Sequence, residues 1–373
     1  MSPKGFAILG SGIFAKEAHL PAVAALESGV AELKAVYSRS EKSAADLAAA
    51  AQQLLKLPAA PAIYFDANPN GNLDTLLARS DIAAVVIALP ITVQPTIIRK
   101  ALAAGKHILS EKPVAPDVAG GIKLIDEYNT IYKPKGLIWR IAENFEVEPG
   151  YQAAADVIRQ GKIGKVAFFN ARVVNHVAKS DKYYKTPWRT VPDYQGGFLL
   201  DGGVHTCAAL RVLLPSPIVS LSGYASLNQE YLAPHDTINC AVRAADGSHG
   251  LFELTFASPV PSRHKLARGG ITVTGTDGWL SIDNATTVEG KGALLVNVYT
   301  RIKDEDGHPI GEKEEKLQLL VSGVNEEFKR FFKAINGEDD GYGKPEDALK
   351  DVAFIQAALN SNGAPVDLVK LVQ

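Results

Sequence analysis

Cysteine is nearly absent from this chain: Cys207 and Cys240 are the only two in 373 residues. That count excludes a disulfide-built secreted scaffold and fits a reducing, cytoplasmic setting, with both thiols expected as small buried side chains. No apolar run reaches the ~20 residues that a membrane-spanning helix needs. The first strand begins so early, and so soon before a glycine-rich turn, that no signal peptide is expected. No basic block is present either. Lysine and arginine number 39 against 41 acids, for a formal charge of −2, which argues against nucleic acid or an anionic membrane as partner. Three of the histidines, His176, His235 and His264, lie scattered without metal-ligand spacing, so no metal is predicted. Internal repeats and low-complexity segments are lacking. What is there is 46% hydrophobic and 21% charged, a packed globular composition whose length points to two domains.

The most informative stretch comes first. Phe6 to Leu9 reads as a buried strand, and Gly10-x-Gly12-x-x-Ala15 follows, opening into a helical pattern. This is a dinucleotide fingerprint whose third small residue is alanine. Gly10 permits the tight turn, Gly12 lets the backbone approach a pyrophosphate, and Ala15 lets the helix sit close to the strand. Ile13 and Phe14 open the helix whose N–H groups would face that anion. A tight turn without a ligand is the plainer alternative. The helical pattern of Phe14–Gly29 is interrupted at Pro21, which cannot donate an N–H.

A second strand, Leu33–Tyr37, ends without the carboxylate that would accept from the ribose hydroxyl of NAD. Ser38, Arg39 and Lys42 stand there instead, groups suited to a 2′-phosphate and hence to NADP. The alternative is a helix start with solvated charges, Ser40 being its cap. The next strand–helix pairs follow with short connections. Asp81–Leu89 is an unbroken apolar strand ending at Pro90, and Pro95–Gly105 a helix. His107–Leu109 delivers Ser110-Glu111-Lys112-Pro113 at a strand's carboxyl end, and Gly136–Ala142 ends at Glu143-Asn144. This alternation predicts a Rossmann domain, an α/β doubly wound parallel sheet, over residues 1–142.

Together, Gly10-x-Gly12-x-x-Ala15, His19-Leu20-Pro21, the segment Ala103 to Pro113 with Glu111-Lys112-Pro113 at its end, and a later Gly-Gly/Asp/His cluster resemble the Gfo/Idh/MocA oxidoreductases, the glucose–fructose oxidoreductase and inositol dehydrogenase family. The resemblance covers nearly the whole chain. It implies that Gly10, Gly12, Ile13, Phe14, Ser38, Arg39, Lys42, Leu89, Pro90, Gln94, Glu111, Lys112 and Asn144 bind the cofactor. After the fourth strand, where relatives often show Thr-Pro-Asn-x-x-His, this chain has Leu89-Pro90-Ile91-Thr92-Val93-Gln94. Gln94 is the hydrogen-bonding group in the histidine's place.

Residues 143–373 read as an α+β domain with an open, mostly antiparallel sheet, expected to bind substrate and to pair copies of the chain into a homodimer or larger homo-oligomer. Strand candidates run from Lys165 to Arg301, punctuated by turns such as Ala245-Asp246-Gly247. Helices are expected at Asn325–Ile335 and Pro345–Leu359. Within this half lies Gly196-Gly-Phe-Leu-Leu-Asp201-Gly-Gly-Val-His205, with a helix expected from about Gly203 to Leu214. Asp201 and His205 are four apart, so near a helix start they share a face. Such a pair suits proton transfer, although an acid there is also an ordinary cap. The family motif favours the first reading. It implies that His205 donates or accepts the proton, that Lys112 polarises the reacting oxygen, and that Asp201 orients His205 or binds a substrate hydroxyl. Tyr183, Tyr184, Trp188 and Arg189 are expected to line a sugar-sized pocket. The expected function is hydride transfer between NADP and a secondary alcohol or carbonyl of a sugar or polyol. The alternative is an NADP-binding sensor without turnover, since the family includes a yeast galactose-pathway regulator.

Overall fold

The computed structural model describes residues 3–261 and 270–373, so His264 lies outside the described residues. The chain divides into two compact units, Met1–Asn144 with Val324–Leu349, and Phe145–Gly323 with Lys350–Gln373.

The first unit is built on six parallel strands: β1 (Lys4–Leu9), β2 (Ala31–Ser38), β3 (Ala62–Phe65), β4 (Ala84–Ile87), β5 (His107–Glu111) and β6 (Trp139–Ala142). Their order is β3-β2-β1-β4-β5-β6. The order reverses between β1 and β4, and a crevice at the carboxyl ends of those two strands is the general ligand position of such sheets. The two central strands carry unbroken apolar runs, Phe6–Leu9 in β1 and Ala84–Ile87 in β4, all buried because both faces of the sheet are covered there. β4 is shorter than the expected Asp81–Leu89, since it pairs only along Phe6–Leu9 of β1. Leu89 and Pro90 therefore leave the sheet as a loop.

The helix after the fingerprint is interrupted as expected, in a specific way. Ala15–His19 forms a π-turn, with the Leu20 N–H reaching the Ala15 carbonyl, and α1 (Leu20–Ala24) resumes from it. In a regular helix the Pro21 ring would clash with the Glu17 carbonyl and leave it unbonded; one extra residue in the preceding turn relieves both faults. α2 (Glu41–Leu55) is capped by Ser40, whose hydroxyl accepts from the Ser43 N–H at 3.3 Å, and α3 (Leu73–Leu77), α4 (Gln94–Ala103) and α5 (Val118–Glu127) follow between the later strands.

The helix Gly323–Ile335 places Phe328, Phe331 and Phe332 in the first unit's core, all fully buried. Phe332 meets Phe6 of β1 edge-on at 5.3 Å between ring centroids. Residues 324–349 thus join the first unit, where the sequence division at 142/143 assigned them to the second. The cause is the apolar stripe Phe328, Phe331, Phe332, Ile335, which has helical spacing and covers one sheet face.

The second unit carries α6 (Pro149–Arg159), β7 (Val166–Val174), α7 (Pro187–Thr190), α8 (Phe198–Leu213), β8 (Ile218–Ser226), β9 (Thr237–Ala244), β10 (His249–Thr255), β11 (Gly270–Gly275), β12 (Gly278–Thr286), β13 (Gly292–Lys303), β14 (Pro309–Leu320) and β15 (Val366–Asp367). Nine of these form one sheet, β14-β13-β12-β11-β7-β10-β9-β8-β15, in which β7 and β10 run parallel and all other pairs antiparallel. β14 was not expected from sequence, because its run Glu312-Lys-Glu-Glu-Lys316 masks the alternation of a strand. One face is buried, with Phe169, Phe252 and Leu254 inward, and Phe354 packs on Phe252 at 4.7 Å. The other face leaves Phe168, Leu251 and Tyr224 exposed.

Cys207 and Cys240 are both buried thiols, and burial pushes the Cys240 thiol up to about 12. No helix among the described residues is long and apolar enough to cross a membrane.

Phe331 is fully buried in the first unit's core. Its replacement by alanine is expected to cost about 3–5 kcal/mol of stability, read as a lowered urea midpoint by circular dichroism. A midpoint within error of wild type would show that the Gly323–Ile335 helix is not part of that core.

Candidate functional site

In the first unit, the fingerprint turn is shaped by close backbone approach. Gly10 adopts φ +111°, and a Cβ there would lie 2.1 Å from the Ala88 carbonyl oxygen just beyond β4. Only glycine fits. The Gly10 N–H donates to the Tyr37 carbonyl at 2.9 Å, tying the turn to β2 as well. Gly12 differs, since nothing lies within 4 Å of the Cβ it lacks. Its demand for smallness does not come from the protein, which fits a ligand approaching the backbone there. Ile13 and Phe14 form the first turn of the helix, whose leading N–H groups lack intrahelical acceptors.

At the tip of β2 the structure adds a residue that sequence reasoning missed. The Ser11 hydroxyl donates to the Ser38 hydroxyl at 2.8 Å, so the fingerprint's second residue sets the rotamer of the expected phosphate contact. Neighbouring Tyr37 donates to Asp66 at 2.6 Å, and burial, followed by that bond, pushes its phenol above the usual range. Arg39 and Lys42 are exposed, available to an anion and equally well solvated. Ser40 does act as the helix cap, as the plainer reading held.

Beyond β4, Leu89 and Pro90 are half-buried. The Pro90 carbonyl accepts from the N–H groups of Val93 and Gln94, starting α4 (Gln94–Ala103). The Gln94 side chain is 1% exposed, and neither its amide nitrogen nor its oxygen has a partner. Leaving such a group unpaired costs about 1–3 kcal/mol. A buried carboxamide without partners, beside the crevice where the strand order reverses, fits a ligand that supplies them. Glu111 and Lys112 stand half-buried at the end of β5, and Asn144 is half-buried just past β6. These residues fit a dinucleotide: a glycine turn with open space above it, a helix start, and an orphaned amide.

One grouping was not anticipated. His19 Nε2 lies 2.7 Å from Glu111 Oε1. With Glu327, ligand-type atoms of the three residues fall within 4.8 Å of one another. Their distance in sequence hid them from any spacing rule.

In the second unit, α8 starts at Phe198, five residues earlier than expected, after Gly197 at φ +54°. Asp201 therefore sits within the helix's first turn and is not its cap. Gly202 and Gly203 lie inside α8. Cβ atoms there would meet Phe256 at 2.7 Å and Leu254 at 2.5 Å, so these glycines serve close packing of α8 on the sheet. Asp201 is 6% exposed and accepts from Arg189 Nε at 2.7 Å. The Arg189 guanidinium lies 3.9 Å from the Trp188 ring centroid and 5.3 Å from that of Tyr183. One face of Trp188 is thereby taken by Arg189, leaving only the other for a ligand. Tyr194, tilted against Trp188, has its phenol pushed above the usual range by burial and then by the charge of Asp201. Tyr184 packs edge-on against Tyr231 at 5.5 Å. One turn along α8, His205 is half-buried and stacks on Phe145 at 4.8 Å between centroids, 27° between planes.

Trp188, Arg189 and Asp201 thus form one contiguous group, which motif spacing alone did not join. Arg189 was legible as a pocket residue; its pairing with Asp201 was not.

Comparison with known proteins agrees with both halves. Residues 4–130 match the NAD-binding Rossmann fold of an oxidoreductase family, and residues 155–368 match that family's C-terminal alpha/beta domain. The dehydrogenase FPY6 of Fusarium mangiferae is 40% identical over 369 residues, spanning 96% of each chain. The 1,5-anhydro-D-fructose reductase of Ensifer adhaerens is 25% identical over 312 residues, covering 79% of this chain and 83% of that one. Among solved structures, an oxidoreductase from Thermotoga maritima superposes with a TM-score of 0.81 at 28% identity, over 99% of both chains. The two family models lie one on each half of the chain and together span most of its length, and the chain belongs to the Gfo/Idh/MocA oxidoreductase family.

Proposed function

We propose that this protein is an NADP-dependent dehydrogenase or reductase acting on a secondary alcohol or carbonyl of a sugar, polyol or related small molecule. The observation that carries the reading is the lip of the first unit's sheet. The Gly10–Gly12 turn, the orphaned Gln94 amide and Lys112 all follow the carboxyl ends of β1, β4 and β5, the edge where such sheets bind ligands. Bound there, the dinucleotide supplies or accepts the hydride. Gly10, Gly12, Ile13 and Phe14 hold its pyrophosphate. Ser38, set by Ser11, and the cations Arg39 and Lys42 take the 2′-phosphate. Leu89, Pro90, Gln94, Glu111 and Asn144 border the nicotinamide half.

The remaining tasks fall to side chains. The Lys112 ammonium stabilises negative charge on the substrate oxygen. His205 gives or takes the proton, with an imidazole's suitability near neutral pH. Asp201, held by Arg189, receives a substrate hydroxyl, and Tyr184 with the open face of Trp188 supplies apolar surface for a sugar ring. The name of the Ensifer adhaerens relative supports a keto-sugar or its alcohol as substrate class.

The exposed face of the second unit's sheet supports self-association. Leu251 is 62% exposed and Phe168 46%, on adjacent strands, and two such faces pair naturally by two-fold symmetry.

Three outcomes are expected. Fluorescence titration should show NADPH bound about ten- to a hundredfold more tightly than NADH, the worth of charge-assisted hydrogen bonds, with Arg39→Ala removing most of the difference. Equal affinities would exclude the assignment of Ser38, Arg39 and Lys42. A panel including 1,5-anhydro-D-fructose, myo-inositol and aldoses, followed by NADPH absorbance, should yield a substrate. With it, Lys112→Ala and His205→Ala should each lower kcat by roughly 10²–10⁴-fold while NADPH affinity is retained. Undiminished turnover in either variant would sink the mechanism, and tight NADPH binding without turnover on any compound would favour the sensor. Light scattering should report more than one protomer per particle, and Leu251→Asp should shift it toward one; a monomeric wild type at all concentrations would contradict self-association.

A further inference from the structure

His19 is fully buried, and no role is yet attached to it. Its ring lies between Phe14, edge-on at 5.1 Å, and Phe328, tilted at 5.3 Å. A hydrocarbon ring would fill that slot without desolvating an imidazole. Its Nδ1 has no partner, an added cost of burial. What the imidazole gains in return is one interaction, between Nε2 and Glu111 Oε1 at 2.7 Å. A carboxylate accepts and an imidazole N–H donates, so the pair is complementary when His19 carries its proton on Nε2.

The two ends of this bond matter by position. Glu111 is the last residue of β5, and Lys112 follows it directly. His19 closes the π-turn that begins at Ala15, the third small residue of the fingerprint. Single π-turns recur at functional sites because they re-aim a side chain that a regular helix would direct elsewhere. From the other side β5 is steadied at Ser110, fully buried, which accepts from Trp139 Nε1 at 3.0 Å. With its carboxylate tied to His19 and the preceding residue clamped to β6, Glu111 has little freedom, and neither does the direction in which Lys112 leaves the sheet.

We infer that His19 is a positioning residue for Lys112, acting through the His19–Glu111 hydrogen bond and coupling the dinucleotide-binding turn to the lysine. The inference rests on the reading of Lys112 as the residue that meets the substrate oxygen, and deepens it by naming what aims it. Glu327, whose carboxylate lies within reach of the same pair, is the third titratable member of the cluster.

The test follows the lysine itself in the full-length protein. Competitive acetylation with acetic anhydride, read by mass spectrometry, gives the reactivity of Lys112 relative to Lys34 and Lys100 of the same unit. His19→Leu and Glu111→Gln should each change the relative rate of Lys112 by about fivefold, the worth of one net hydrogen bond. His19→Gln, whose amide nitrogen can occupy the place of Nε2, should restore it. A merely structural role would instead lower the unfolding temperature and change all three lysines together, with no rescue by glutamine. If His19→Leu does not fold, Glu111→Gln and His19→Gln carry the comparison. Folded variants with wild-type Lys112 reactivity overturn the inference. So does one equivalent of divalent metal retained through gel filtration and lost in His19→Leu, which would make the trio metal ligands. The readout needs no substrate, so failure of the coupling and failure of the reductase reading appear in separate measurements.

Discussion

The arrangement of the first unit depends on how closely two backbones approach. At the end of β1 there is no room for a Cβ, because the Ala88 carbonyl occupies the place it would take. The same glycine donates its N–H to the Tyr37 carbonyl. One residue therefore fixes the ends of three neighbouring strands relative to one another, and each end hands a candidate site residue to the lip of the sheet: Ser38 from β2, Leu89 and Pro90 from β4, and the fingerprint helix from β1. Any larger residue would push β1 from β4 and carry the leading N–H groups of the fingerprint helix with it. The positive φ alone selects against other residues, and the steric contact makes the selection absolute.

The first unit was largely legible because its signals are local. A glycine fingerprint after an apolar strand, short connections and the regular alternation of strand and helix specify a doubly wound sheet one step at a time. Legibility failed where partners are far apart in the chain. Nothing near Phe328 or Phe331 shows that their helix completes a core made by residues more than 180 positions earlier. The Ser11–Ser38 bond, the His19–Glu111–Glu327 group and the Arg189–Asp201 pair were hidden for the same reason, since each joins residues that only the folded backbone brings together. The start of α8 was misplaced because two glycines within a helix read as loop. They are tolerated there because Phe256 and Leu254 need the space, a packing demand that outweighs roughly 1 kcal/mol of helix propensity per glycine.

In the second unit, charge and aromatic surface are combined economically. The guanidinium of Arg189 covers one Trp188 face and neutralises Asp201, so a nearly buried carboxylate, a half-buried indole and a cation share a single arrangement. An Arg→Lys change there would keep the charge and lose the planar stacking. Placing the carboxylate in the first turn of α8 adds the favourable helix dipole to its stabilisation.

The outermost long strand of that sheet has a consequence for the behaviour of the whole molecule in a crowded solution. Among the described residues the nine-stranded sheet ends at β14, and the free edge of a sheet presents peptide groups that invite an extended chain to add itself. β14 carries Glu312, Lys313, Glu314, Glu315 and Lys316 at that border, nearly all of them exposed. Lys313 and Lys162 both pair with Glu315, at 2.6 and 3.4 Å. An incoming strand would have to desolvate this alternation of charge to gain its hydrogen bonds. The run that concealed β14 as a strand thus also opposes edge-to-edge pairing of the sheet.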